Sequence, residues 1–77
     1  LGKLEVYDRD NGTQLIHLLR IYLENNGSLQ LVSEKLYIHR NTVTNQLKKI
    51  ESIIGYNPTD LEDRVYLYIG FYIKNIL

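Results

Sequence analysis

Two apolar rows of helical period, separated by only a few residues, dominate the middle of the chain. Leu29, Val32, Ser33 and Leu36 share one face of a helix of about two turns. After the tight connection Tyr37-Ile38, a second row of Val43, Leu47, Ile50 and Ile54 lines a helix that begins near His39 or Arg40. Opposite that row Asn41, Asn45, Lys48 and Ser52 fall at i, i+4, i+7 and i+11, a column that is polar throughout. Asn26-Gly27 and Gly55 are stop signals on either side, and Ser28 is a good N-cap for the first helix of the pair. With His39 as the second N-cap, Ile38 before it and Val43 pack as a hydrophobic staple that sets the angle between the two helices. The spacing predicts a helix-turn-helix over residues 28–54.

The flanking segments extend the helical pattern. Leu15, Leu18, Leu19 and Tyr22, widened by Ile16 and Leu23, predict a first clear helix from about Asn11 to Asn25. Before it, Leu1, Leu4 and Tyr7 also stand at helical spacing, but they are few and uncapped, which predicts a short helix or an arm. After the Tyr56-Asn57-Pro58-Thr59 loop, Thr59 or Asp60 caps a last helix reaching about Asn75, with Asp60, Glu62 and Asp63 at the positive end of its dipole. That helix carries apolar or aromatic residues on more than one side, from Leu61 to Ile76. One side must pack on the core, and the other predicts contact with a missing upstream domain or a second copy. The expected fold class is all-α: a small helical bundle containing a helix-turn-helix, with four main helices, or five if the N-terminal one forms. Residues 1–10 are expected to link to an upstream domain, and residues 11–77 to form the helix-turn-helix domain.

Seventy-seven residues suffice for one domain with a modest core, and 44% apolar with 23% charged residues is a globular composition. No apolar run is long enough to span a membrane and no signal peptide is evident, so we expect a cytoplasmic setting without membrane contact. The chain opens at Leu1, has no methionine and no alanine, and is expected to be a C-terminal fragment. With no cysteine, disulfides, thiolate metal sites and a cysteine nucleophile are excluded. The only histidines, His17 and His39, have no carboxylate at helical spacing on their own faces, and no ligand pair stands at i, i+4 with a third nearby. Neither catalysis nor a metal or cofactor is expected. His17 lies between the apolar positions of the first helix and is expected to be partly buried.

The formal net charge is zero, which argues against a nonspecific nucleic-acid coat. The charge is uneven, however. Lys35, Arg40, Lys48 and Lys49 are the charged residues between positions 35 and 49, whereas positions 50–63 hold Glu51, Asp60, Glu62 and Asp63 without a base. A solvated helix face with chance clustering would look the same from charge alone. The major groove admits one helix, whose N-terminal residues meet base edges while the preceding helix braces it. Ser33 is the small residue such a crossing needs, and Leu36, Ile38, Val43 and Leu47 are the apolar ones, a pattern that helical pairs without DNA also share. Arg40, Asn41, Thr44 and Asn45 present the donors and acceptors that read bases, arginine suiting guanine and asparagine adenine. Lys48 and Lys49 suit phosphate, as do the hydroxyls of Thr42 or Ser28, and His39 stands at the helix start within reach of one. Each has a structural reading too, since asparagine and threonine cap helix starts and lysines complement helix ends.

The run Leu36-Tyr37-Ile38-His39-Arg40-Asn41-Thr42-Val43, followed by Leu47-Lys48-Lys49-Ile50-Glu51 and Gly55, resembles the C-terminal domain of PucR-type transcriptional regulators. The likeness is carried most by His39-Arg40-Asn41-Thr42, and Tyr7-Asp8, Tyr22-Leu23-Glu24 and Glu62-Asp63-Arg64 extend it over nearly the whole chain. It implies a bacterial regulator in which an upstream sensory or dimerising region controls a C-terminal domain that binds double-stranded DNA, with a homo-oligomer as the full-length form. The chain departs from that pattern at Asn45-Gln46, where the family commonly has a tyrosine and an arginine before the leucine matching Leu47, so one cation is lost. A second resemblance, to the DNA-binding end of Fis-like proteins and enhancer-binding activators, covers only Gly27 to Lys49, and the extra helix after Gly55 favours the first. The rival reading is a helical protein-interaction or dimerisation module that docks through its aromatic last helix and does not bind DNA.

Overall fold

The computed structural model describes residues 1–74, in which five α-helices follow one another: α1 Gly2–Asn11, α2 Leu15–Glu24, α3 Leu29–Leu36, α4 Arg40–Ile54 and α5 Leu61–Ile73. The architecture is an all-α bundle whose α3 and α4 form the helix-turn-helix. Asn75 and Ile76, expected in the last helix, lie outside the described residues.

The N-terminal segment is a full helix of ten residues, with Leu4 completely buried. Asn11, expected to open the next helix, instead closes α1, because Gly12 at φ 64° takes the left-handed conformation and returns its N–H to the Asp8 carbonyl. The next helix therefore starts only at Leu15, and Gln14 at its N-cap makes no side-chain bond. Asp8 supplies the missing cap from α1. One carboxylate oxygen accepts from the Leu15 N–H at 2.8 Å and the Thr13 hydroxyl at 2.5 Å, and the other accepts from the Ile16 N–H at 2.9 Å. A carboxylate at a helix N-terminus combines charge-assisted hydrogen bonds with a favourable dipole.

From Leu15 onward the apolar stripe behaves as its period requires. Leu15, Leu18, Leu19, Tyr22 and Leu23 are buried, together with Val32 from α3, Val43, Leu47 and Ile50 from α4, and Leu67 and Phe71 from α5. His17, expected to be partly buried, is exposed, because position 17 falls outside that stripe; its Nδ1 lies 3.1 Å from an Arg20 nitrogen. The turn after α2 passes through two left-handed residues, Asn26 at φ 55° and Gly27 at φ 77°. Glycine is favoured at the second place by that φ, and a Cβ there would also displace the Arg64 guanidinium of α5. The α5 helix lies on α2, and the Tyr68 hydroxyl donates to the Leu23 carbonyl at 2.5 Å. Helix α4 is packed by α1, α2 and α3 together.

Asp8→Ala leaves the start of α2 without its cap, and is expected to lower unfolding free energy by about 1–3 kcal/mol in urea titration. Asp8→Asn, which keeps acceptor oxygen but not charge, should fall between the two. A parent-like midpoint for Asp8→Ala would show that the carboxylate does not hold α2.

Candidate nucleic-acid interface

The helix-turn-helix is held at both of its N-termini by the residues that begin it. The Ser28 hydroxyl accepts from the Leu31 N–H at 3.2 Å, and the His39 Nδ1 accepts from the Asn41 N–H at 3.1 Å. The acceptor role of Nδ1 leaves Nε2 as the ring's donor, on an exposed side chain next to the first turn of α4. The Ser28 hydroxyl hydrogen is likewise not used by its cap. Ile38 is half-buried against the core that includes Val43, which is where a staple would place it.

With Val43, Leu47 and Ile50 buried, the remaining residues of α4 are fixed in direction. Asn41, Asn45, Lys48 and Ser52 are all exposed, as are Arg40 and Thr42 on either flank. Thr44 is half-buried and lines a small groove of about 230 Å³ with Lys48, Leu29, Glu51 and the loop residues Asn57 and Thr59. Among the described residues, neither Arg40 nor Lys48 is paired with a carboxylate. Lys49 is placed differently from Lys48. Its ammonium lies over the Tyr7 ring of α1, 5.2 Å from the centroid, a cation–π contact on the flank facing α1. The candidate residues thus separate into Asn41, Asn45 and Lys48 along the outward side, Arg40 and the half-buried Thr44 on one flank, Thr42 and Lys49 on the α1 flank, and Ser28 and His39 at the helix starts.

A family model described as the PucR C-terminal helix-turn-helix domain matches residues 15–73. This chain belongs to that family. Membership implies DNA binding in the control of transcription, and the family is not an enzyme class. Among curated relatives, the chain is similar to the proline-responsive transcriptional activator PutR of Bacillus subtilis, 33% identical over 69 residues, covering 90% of this chain and 17% of the relative. It is 32% identical over 63 residues to the purine catabolism regulatory protein of the same organism, covering 82% and 12% of the two chains. Its identity to the DNA-binding transcriptional activator AdeR, also of Bacillus subtilis, is 28% over 76 residues, covering 99% and 18%. The chain thus spans less than a fifth of the length of these relatives. No solved structure matches it significantly.

Within this PucR-type domain, Gln46 is half-buried rather than part of the exposed column, so a cation missing there is missing from the flank of α4 and not from its outward side. The structure also singles out Tyr37, which the spacing argument treated only as connection. It closes α3 in the left-handed conformation at φ 56°, and it is 93% exposed, the largest exposure among the big apolar residues described. A large aromatic residue in the turn of a helix-turn-helix was the available signal. The conformation is costly for a residue with a Cβ, by about 1–2 kcal/mol. Tyr37→Gly, which removes that strain, is expected to be more stable than Tyr37→Ala, which keeps it, by about 1 kcal/mol in chemical denaturation. Equal midpoints would mean that the turn does not hold this conformation.

Proposed function

We propose that this domain binds double-stranded DNA sequence-specifically, as the C-terminal domain of a bacterial transcriptional regulator, by inserting the N-terminal half of α4 into the major groove. The observation that carries this reading is the all-polar outward side of α4, set opposite the buried Val43, Leu47 and Ile50. In this arrangement Arg40 and Asn41, at the first turn, reach base edges, where arginine forms a bidentate pair with guanine and asparagine with adenine. Thr44 and Asn45 read one turn further along. Lys48 meets phosphate, with the Ser28 and Thr42 hydroxyls, the His39 Nε2 and Lys49 as further backbone contacts, and the Tyr37 ring lies against the sugar-phosphate edge beside the turn. Lys49 leaves the Tyr7 ring to do so, or steers through its charge alone.

In the full-length protein, an upstream sensory region joined through the first ten residues would govern the domain, and homo-oligomerisation would present two copies of α4 to the two halves of an operator. Operation in the cytoplasm goes with this reading. No helix among the described residues is long and apolar enough to cross a membrane.

The test is a fluorescence-anisotropy titration against DNA from upstream of the protein's own gene, over a range of salt concentrations. Affinity should fall steeply with salt, and Lys48→Ala should weaken binding to all sequences alike while reducing the salt slope by about 1. Arg40→Ala with Asn41→Ala should remove most of the preference for cognate over random DNA, each side chain accounting for roughly 1–3 kcal/mol, with the helical content unchanged. No binding by the parent at low salt, or an undiminished preference in the double variant, would reject the proposal.

A further inference from the structure

The solvent side of α5 carries the surplus of apolar residues that the sequence of the last helix led us to expect. Leu61, Val65, Ile69 and Ile73 recur every four residues along it, between 49% and 77% exposed, and Tyr66 and Tyr72 flank them at 61% and 68%. The opposite side of the same helix is already committed, with Leu67 and Phe71 in the core and Tyr68 bonded to the Leu23 carbonyl. Along the outward side Glu62 is the only charged residue of α5; Asp63 is turned back onto the Asn57 N–H and Arg64 lies over Gly27.

We propose that this face pairs two copies of the chain, α5 against α5, antiparallel about a two-fold axis. It deepens the oligomer reading given above by assigning its surface, and it is independent of how α4 meets DNA. Three features favour a second copy as the occupant. The first is shape. A row at i, i+4, i+8 and i+12 is a ridge of the kind that packs into the groove of an identical helix, the commonest class of helix contact. A groove of about 610 Å³ runs beside the ridge, bounded by Leu1, Ile54 and Tyr56 and by Tyr66 and Ile69 of α5 itself, so ridge and recess lie on one face. A two-fold contact needs that self-complementarity, because each copy must offer what the other fills.

The second feature is charge. Asp60, Glu62 and Asp63 stand at one end of α5 and Lys74 at the other. With Val65 of one copy opposite Ile69 of the other, an antiparallel pair keeps the acidic ends of the two helices apart and sets each toward the Lys74 end of its partner copy, where the Lys74 ammonium also lies 3.4 Å from Glu5 of its own α1. A parallel pair would bring the acidic ends together. The third feature is area. At about 150–200 Å² for a large side chain, the exposed fractions of these six residues sum to at most on the order of 700 Å² per copy, approaching the roughly 800 Å² per partner of a standard interface.

Sedimentation of the 77-residue chain without DNA tests the assignment. From low micromolar to submillimolar concentration the mass should rise from the 9.1 kDa of one chain toward twice that value. Ile69→Glu should raise the concentration for half-association by more than about tenfold with the far-ultraviolet spectrum unchanged, whereas Val6→Glu, at an exposed apolar site on α1, should not. Because the chain lacks cysteine, Ile69→Cys gives a single thiol close to the proposed axis. It should form an interchain disulfide under mild oxidation, much faster than Glu34→Cys on α3. A single-chain mass throughout, association unaffected by Ile69→Glu, or equal oxidation of the two cysteine variants would each overturn the proposal. None of these outcomes would touch the DNA-binding reading, which the anisotropy titration tests separately.

Discussion

The burial of Val43, Leu47 and Ile50 determines how α4 is rolled, and nearly everything proposed for this domain depends on that roll. Three helices close on α4 at once, with the fully buried Val32 of α3 among the residues in its core. Each of these side chains contributes roughly 1.5–3 kcal/mol by leaving water, so turning the helix by even one residue would forfeit several kcal/mol and carry polar residues inward. The direction of Asn41, Asn45 and Lys48 is therefore a consequence of what the other side of the helix must bury. No contact among the outward residues is needed to hold them there.

The helix ends complete that arrangement, and they show stability and recognition sharing residues. His39 starts α4 through one ring nitrogen and leaves the other at the surface beside Arg40. Ser28 does the same for α3 with its hydroxyl. Asp60 caps α5 by accepting from the Asp63 N–H, and Asp63 in turn accepts from the Asn57 N–H, tying the loop after α4 to the start of α5. The turn between α3 and α4 is the exception. There a strained tyrosine stands where glycine would cost least, and its ring is left almost wholly in solvent.

Helices α4 and α5 resolve the same problem in opposite ways. A chain of this size buries only about 60% of its unfolded surface, and α4 spends its outward side on polar residues that water accepts. The outward side of α5 is apolar. In a domain with no net charge and few free cations on α4, pairing through α5 would double the phosphate contacts available to one assembly, which is how a weakly charged module reaches useful affinity.

Much of the fold was legible in the chain because helical period and capping are local. Leu29 to Leu36 and Arg40 to Ile54 fall where the spacing of their apolar residues and the stops at Gly27 and Gly55 put them. The His39-Arg40-Asn41-Thr42 run pointed to the family that the comparison then showed. The first helices were less legible. Gly12 and Thr13 break the chain where the spacing predicts a helix from about Asn11, and the cap of α2 comes from Asp8, seven residues before the first N–H it binds. By itself, then, the sequence determined an all-α chain with a helix-turn-helix at its centre and a polar side to α4, since each depends on residues within a few turns of one another. Only the tertiary structure decided that Lys49 rests over Tyr7, that Tyr68 reaches the Leu23 carbonyl, that His17 stays outside the core, and which side of α5 the described residues leave uncovered. Those outcomes depend on which helices meet and at what angle, and local periodicity does not encode distances between helices.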